Sequence, residues 1–285
     1  MLLVTGATGT TGTEVLRGLA EREAEVRALI HDEAKADAVR ELGAEPFVGE
    51  MGDPKTLEPA LQGVERAYLV SPVTPMQAEY EQVFVETAKS AGVKHVVKLS
   101  LIGASTQSPL RFGKNHAVVE QALRDSGLDW TFLRPNGFMQ NNLAWPAQVH
   151  DGTFYSPVPD AAFSIVDARD VAEVAVAALT GEGHAGKAYA LTGPEAISYR
   201  EQARRLFAAG GREVTVEEVE AEAVKQALVQ AGVPPWNAEG LAELWELYAS
   251  GGATLVATGV QDVLGRAPRD LDAFAHDHAD AFKAP

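Results

Sequence analysis

Residues Leu2-Leu3-Val4-Thr5-Gly6-Ala7-Thr8-Gly9-Thr10-Thr11-Gly12 run from a short apolar stretch into three glycines at three-residue spacing, and a helical pattern from Glu14 to Leu19 follows at once. The turn therefore falls where a buried strand ends and a helix begins. Glycine suits that place because a bulkier side chain would clash in the tight turn or hold the backbone away from a ligand. The unpaired N–H groups of the new helix add donors and a partial positive charge. Such a turn seats the diphosphate of a dinucleotide. Its G-x-x-G-x-x-G spacing differs from the commoner G-x-G-x-x-G, so context carries the reading: a strand before, a helix after, and a second strand (Glu25 to Ile30) at βαβ distance. Gly6, Thr8, Gly9, Thr10, Thr11 and Gly12 form the expected cofactor-binding turn.

With 285 residues, 46% apolar and 22% charged, the chain is long enough to bury a full core as one large domain or as a domain with a smaller lobe. A formal net charge of −16 opposes attraction to nucleic acid phosphates and anionic membranes, so neither is expected as a direct partner. There is no cysteine, which excludes disulfides, thiolate nucleophiles and Cys-ligated metals, and no metal site is expected. No basic leader precedes the first strand, and no apolar stretch reaches membrane-spanning length. A cytoplasmic protein is the expectation.

Apolar or β-branched runs at Pro46-Phe47-Val48, Ala67 to Val70, His95 to Leu99 and Trp130 to Leu133 alternate with helical patterns such as Tyr80 to Ser90 and Ala117 to Ser126. This alternation predicts an α/β fold, a doubly wound parallel sheet with helices on both faces. Gly43, Gly92 and Gly127 fall between a helix and a strand, where left-handed C-caps belong. After Asn142 the rhythm loosens around Pro146, Pro157 and Pro159. An apolar helix from Val171 to Leu179, a strand from Lys187 to Leu191 and helices at Tyr199 to Ala209, Ala221 to Ala231, Ala238 to Ser250 and Leu271 to Phe282 follow. Residues 1–150 read as the dinucleotide-binding core, and 151–285 as remaining core elements plus a small, mostly helical lobe over the acceptor side.

Several separated motifs carry a resemblance that spans nearly the whole chain. They are Thr5 to Gly12, Lys98-Leu99-Ser100, Glu120 to Gly127 leading into Trp130 to Asn141, Leu191-Thr192-Gly193-Pro194-Glu195, and Gly265 to Arg269 before the Phe274 helix. Together they resemble the NmrA-like family of atypical short-chain dehydrogenases. The resemblance implies a Rossmann fold binding NADP(H) or NAD(H), in a family that holds both quinone or dye reductases and redox-sensing regulators without catalysis.

Short-chain dehydrogenases use a Tyr-x-x-x-Lys pair, but the matching slots here hold Phe112-Gly113-Lys114-Asn115-His116. Phenylalanine has no proton to give, which argues against ordinary carbonyl reduction. Ser100 and His116 remain as candidate catalytic residues, His116 with an ordinary pKa suited to proton donation. A quinone stabilises negative charge through its own ring, so stacking, close approach and exclusion of water suffice for its reduction. Phe112, Phe138, Met139, Trp145 and Tyr155 are the candidate acceptor walls.

His31 stands where relatives usually carry an arginine for the 2′-phosphate; Asp32 beside it favours a ribose diol, and Lys35 favours the phosphate. The balance leans to NADP(H), with NAD(H) left open. Glu50 and Met51 are expected to flank adenine, Ser71 and Pro72 to line the path to nicotinamide, and Pro135, Asn136 and Phe138 to complete the cofactor site. The leading reading is an NAD(P)H-dependent reductase of a quinone or similar flat acceptor. The alternative is a non-catalytic NAD(P)-sensing regulator with a protein partner; a homo-oligomer is compatible with either.

Overall fold

The computed structural model describes residues 1–283. Its strands are β1 (Leu2–Val4), β2 (Val26–Ile30), β3 (Glu45–Val48), β4 (Arg66–Leu69), β5 (His95–Leu99) and β6 (Asp129–Pro135), then β7 (Gly137–Phe138), β8 (Thr153–Ser156), β9 (Ala162–Val166), β10 (Lys187–Leu191), β11 (Ala196–Ser198) and β12 (Thr215–Glu218). The helices are α1 (Thr10–Ala20), α2 (Ala36–Glu41), α3 (Pro54–Leu61), α4 (Gln77–Ala91), α5 (Arg111–Ser126), α6 (Ala168–Thr180), α7 (Tyr199–Ala209), α8 (Ala221–Gln230), α9 (Pro235–Ala249), α10 (Gly259–Leu264) and α11 (Leu271–Asp277).

Seven strands lie parallel in the order β10-β6-β5-β4-β1-β2-β3, a doubly wound Rossmann-type sheet. Strands covered on both faces must be apolar along their length, and Leu3, Val4, Ala28, Ile30, Tyr68, Leu69, Val96 and Val97 are all buried. Val15, Leu16 and Leu19 of α1 pack with Val171, Ala175 and Val176 of α6 in one core cluster. Leu57 of α3, Phe84 and Ala88 of α4 and Val119 and Leu123 of α5 belong to another. Gly18 lets α1 and α6 approach, since a Cβ there would sit 3.0 Å from Val176 Cγ2. Asp167 caps α6 by accepting from the Arg169 N–H, and Gly92 and Gly127 end α4 and α5 at φ of +83° and +81°. Strand order reverses between β1 and β4, which opens a crevice at their carboxyl ends.

Beyond β6 the chain builds a lobe. β9 pairs β11 antiparallel and β7 parallel, and β8 pairs β12 parallel. Trp145, Phe154, Phe163, Phe207, Trp245 and Phe274 form its core. Two expectations need correction. α5 begins at Arg111 rather than Ala117, so Phe112 and His116 lie on one helix, four residues apart and on one face. The last helix does not run unbroken to Phe282: it stops at Asp277, and a 3₁₀ turn (Ala279–Phe282) brings Phe282 edge-on against Phe207. The lobe, mostly helical as expected, also carries β7, β8, β9, β11 and β12, strands of two to five residues that are too short to register as periodicity.

Candidate active site

A single cavity of about 1140 Å³ runs along the carboxyl ends of the strands from the glycine turn to α9. At its start Gly6 has φ +55°, and a Cβ there would meet Val70 Cγ1 at 2.7 Å. A Cβ on Gly12 would sit 2.2 Å from the Gly6 carbonyl oxygen, so Gly12 allows the turn to close although it does not itself line the cavity. Gly9 is the N-cap of α1 and supplies no side-chain cap, which leaves the first N–H groups of the helix to a ligand. Thr5 Oγ1 bonds the Tyr68 and Val70 carbonyls and accepts from the Val70 N–H, pinning β1 to β4 beneath the turn. This cradle fits a diphosphate.

At one end, Leu29, His31, Lys35, Glu50, Met51 and Tyr80 line the cavity. Gly52 lies under the Tyr80 ring, where a Cβ would come within 2.7 Å of Cδ1. Asp32 is not among the lining residues, because its carboxylate accepts from the Ala34 N–H at 2.9 Å and caps a 3₁₀ turn. The repulsion expected of it toward a 2′-phosphate is thereby reduced, and the Lys35 ammonium and the His31 ring line this end.

The middle is lined by Ser71, Pro72, Gln77, Ser100, His116, Pro135 and Asn136. Ser100 does not offer its proton to the cavity, as its hydroxyl donates to Glu120 Oε1 at 2.7 Å. Burial alone would raise the Glu120 pKa, but Arg134, Ser100 and Arg124 outweigh it and hold the carboxyl below its ordinary value. Asn136 donates to Ser164 Oγ and the Ala253 carbonyl, tying the β6 end to the lobe.

His116 sits on a buried polar group that the sequence reading did not anticipate. Lys98 and Glu81 are both fully buried and form an ion pair. Lys98 Nζ also donates to the Leu99 carbonyl at 3.0 Å and faces His116 Nδ1 at 3.2 Å. An ammonium only donates, so Nδ1 accepts and the ring proton belongs on Nε2. Burial, and then the Lys98 charge, push the His116 pKa well below its ordinary value. The ordinary histidine pKa expected of His116 is thus corrected: its ring is neutral at neutral pH and offers Nε2–H. A signal was available, for a lysine inside the strand His95-Val96-Val97-Lys98-Leu99 of a two-sided parallel sheet must find a buried counter-charge.

The far end is apolar, walled by Ile102, Leu110, Phe112, Phe138, Leu244 and Leu247, and no lysine or arginine side chain lines it. Arg111 is nearby but committed to Glu243, Glu239 and the Trp236 carbonyl. Tyr248 adds a phenol that lines the cavity with no hydrogen bond among the described residues, stacked on Phe163 with ring centroids 4.0 Å apart. Its burial raises its pKa, so the phenol is protonated. Three expected acceptor walls lie elsewhere. Met139 is buried in the lobe core against Gly193, Trp145 stacks on Phe154, and Tyr155 is 45% exposed on β8, because each serves the lobe rather than the crevice.

The NmrA-like family model matches residues 1–275. The chain belongs to the NmrA-like family. A relative over the whole of both chains, at 40% identity, is the NAD(P)H azoreductase of Xenophilus azovorans. The (4-alkanoyl-5-oxo-2,5-dihydrofuran-3-yl)methyl phosphate reductase of Streptomyces griseus is 41% identical over 99% of each. Among solved structures, an Escherichia coli NADPH-dependent quinone oxidoreductase in complex with NADPH superposes with a TM-score of 0.87 at 29% identity, covering 97% of this chain and 99% of the other.

Proposed function

We propose that this NmrA-like protein is an NAD(P)H-dependent reductase that transfers hydride to a quinone, azo dye or similar flat conjugated acceptor. The observation that carries the reading is the single cavity joining the glycine turn to an apolar, aromatic-walled end. The named activities of the relatives, azoreductase, (4-alkanoyl-5-oxo-2,5-dihydrofuran-3-yl)methyl phosphate reductase and quinone oxidoreductase, support it.

The N–H groups at the start of α1 hold the diphosphate, and His31 with Lys35 take the 2′-phosphate, which makes NADP(H) the preferred cofactor. When bound, the reduced nicotinamide supplies the hydride. Phe138 and Phe112 orient a flat acceptor and, with Leu244 and Leu247, exclude water. Neutral His116 holds a proton on Nε2 at the cavity wall, and Ser100 orders Glu120 rather than the acceptor. No helix of the described residues is long and apolar enough to cross a membrane, and we place the reaction in the cytoplasm with a small molecule as acceptor.

The test pairs calorimetric titration with NADPH and NADH against oxidation of each by a panel of naphthoquinones, azo dyes and aldehydes. Turnover of quinones or dyes, with aldehydes inert, supports the reading. Binding without any turnover would favour the sensing regulator instead.

A further inference from the structure

Two full charges with no solvent exposure are costly, and hydrophobic residues of similar size usually serve packing as well or better. The Lys98–Glu81 pair therefore calls for a role beyond filling space, and its remaining bonds supply one. Glu81 Oε1 accepts from the Ser71 hydroxyl at 2.6 Å and from Gln77 Nε2 at 3.3 Å. Ser71, Gln77 and His116 all line the cavity. With its NH₂ group turned to Glu81, Gln77 is left with a buried carbonyl oxygen that has no partner. Reversing the amide would set that oxygen against the Glu81 carboxylate, so its orientation is fixed. A buried acceptor left open beside a cavity marks a place for a ligand donor.

We propose that the buried Lys98–Glu81 pair is a positioning device that sets the polarity of the cavity wall. Lys98 holds His116 as an Nε2–H donor, and Glu81 holds Gln77 as an acceptor. A wall that offers one donor and one acceptor suits hydroxyl groups, which do both, and the ribose on the nicotinamide side of the dinucleotide is the matching chemistry. Only that ligand assignment rests on the reductase reading; the positioning itself does not.

The experiment is ¹⁵N NMR of the histidine rings in the full chain and in the double variant Lys98→Met/Glu81→Gln, which removes both charges and leaves no buried ion unpaired. In the wild type His116 should show a protonated Nε2 and a bare, hydrogen-bonded Nδ1. In the double variant the ring should become a mixture of tautomers. A wild-type proton on Nδ1, or a double variant that keeps the single Nε2–H form, overturns the positioning role. NADPH affinity by calorimetry should fall about tenfold in the double variant and in Gln77→Leu, the scale of one lost hydrogen bond. Unchanged affinity in both, with the tautomer altered, overturns the ribose assignment. A wild type that binds no dinucleotide overturns the reductase reading, while the NMR result still decides the positioning.

Discussion

Lys98 Nζ faces His116 Nδ1 at 3.2 Å, and both side chains are buried. A histidine in that position stays neutral where exposed histidines titrate. His116 should therefore contribute no limb to the rate of quinone reduction between about pH 6 and pH 8. His116→Ala should lower kcat/KM by roughly 10²-fold or less, because it removes a positioned N–H and not an acid in its charged form. A limb near the ordinary histidine pKa that disappears in His116→Ala would contradict this.

Gly12→Ala is the smallest change that tests the turn. Its Cβ would lie 2.2 Å from backbone oxygen, so the turn must open and the α1 N–H groups lose their aim. Each charge-assisted bond lost is worth about 1.5–3 kcal/mol, so dinucleotide affinity should fall by at least about tenfold. Calorimetry checks this, with circular dichroism to verify folding.

Lys35→Ala should weaken NADPH by about 1.5–3 kcal/mol and leave NADH nearly unchanged, since the 2′-phosphate is the group it can hold. Equal losses for both cofactors would place the phosphate elsewhere.

Restoring the missing tyrosine should not restore alcohol dehydrogenase chemistry. The Phe112 ring tip lies where a Cβ on Gly240 would come within 2.2 Å of Cζ, so the hydroxyl of Phe112→Tyr would meet α9 rather than the cavity. That variant should lower the melting temperature and reduce no ketone. Phe138→Ala, which opens the acceptor wall, should cost more in kcat/KM than His116→Ala.

Much of this was legible in the sequence. The strand, glycine turn and helix at the start announce themselves because the chemistry is local, and Lys187–Leu191 and Tyr199–Ala209 appear with the bounds that periodicity sets. Long-range pairing is harder to read. Glu81 and Lys98 are separated by a helix and a turn, and only the fold brings them together. Met139, Trp145 and Tyr155 read as acceptor walls because aromatic and thioether side chains in irregular loops look alike whether they face a ligand or a lobe core. Tyr248 escaped notice for the converse reason: on an apolar helix its phenol reads as packing, yet it lines the cavity.

His95 gives a prediction about stability. Burial, and the Arg66 charge, lower its pKa from an ordinary 6.5 to about 4. Thr131 donates to the His184 carbonyl and so accepts from His95 Nε2–H, a bond made by the neutral ring. Below the unfolded pKa the unfolded chain takes up a proton that the folded chain refuses, so stability falls as pH drops from about 6.5 to about 4. The loss from this group is on the order of 3 kcal/mol. Urea unfolding at pH 7.5 and pH 5 should show a smaller drop for His95→Gln than for the wild type.

The most direct test of the central claim is the initial rate of NADPH oxidation by a naphthoquinone, measured with NADPH carrying deuterium at the transferable C4 position. Direct hydride transfer within the cavity predicts turnover that is slower for the labelled cofactor by a primary isotope effect, with the deuterium leaving nicotinamide C4 and passing through the hydroquinone hydroxyl to solvent. NADPH that binds but is oxidised by no quinone or azo acceptor would contradict it.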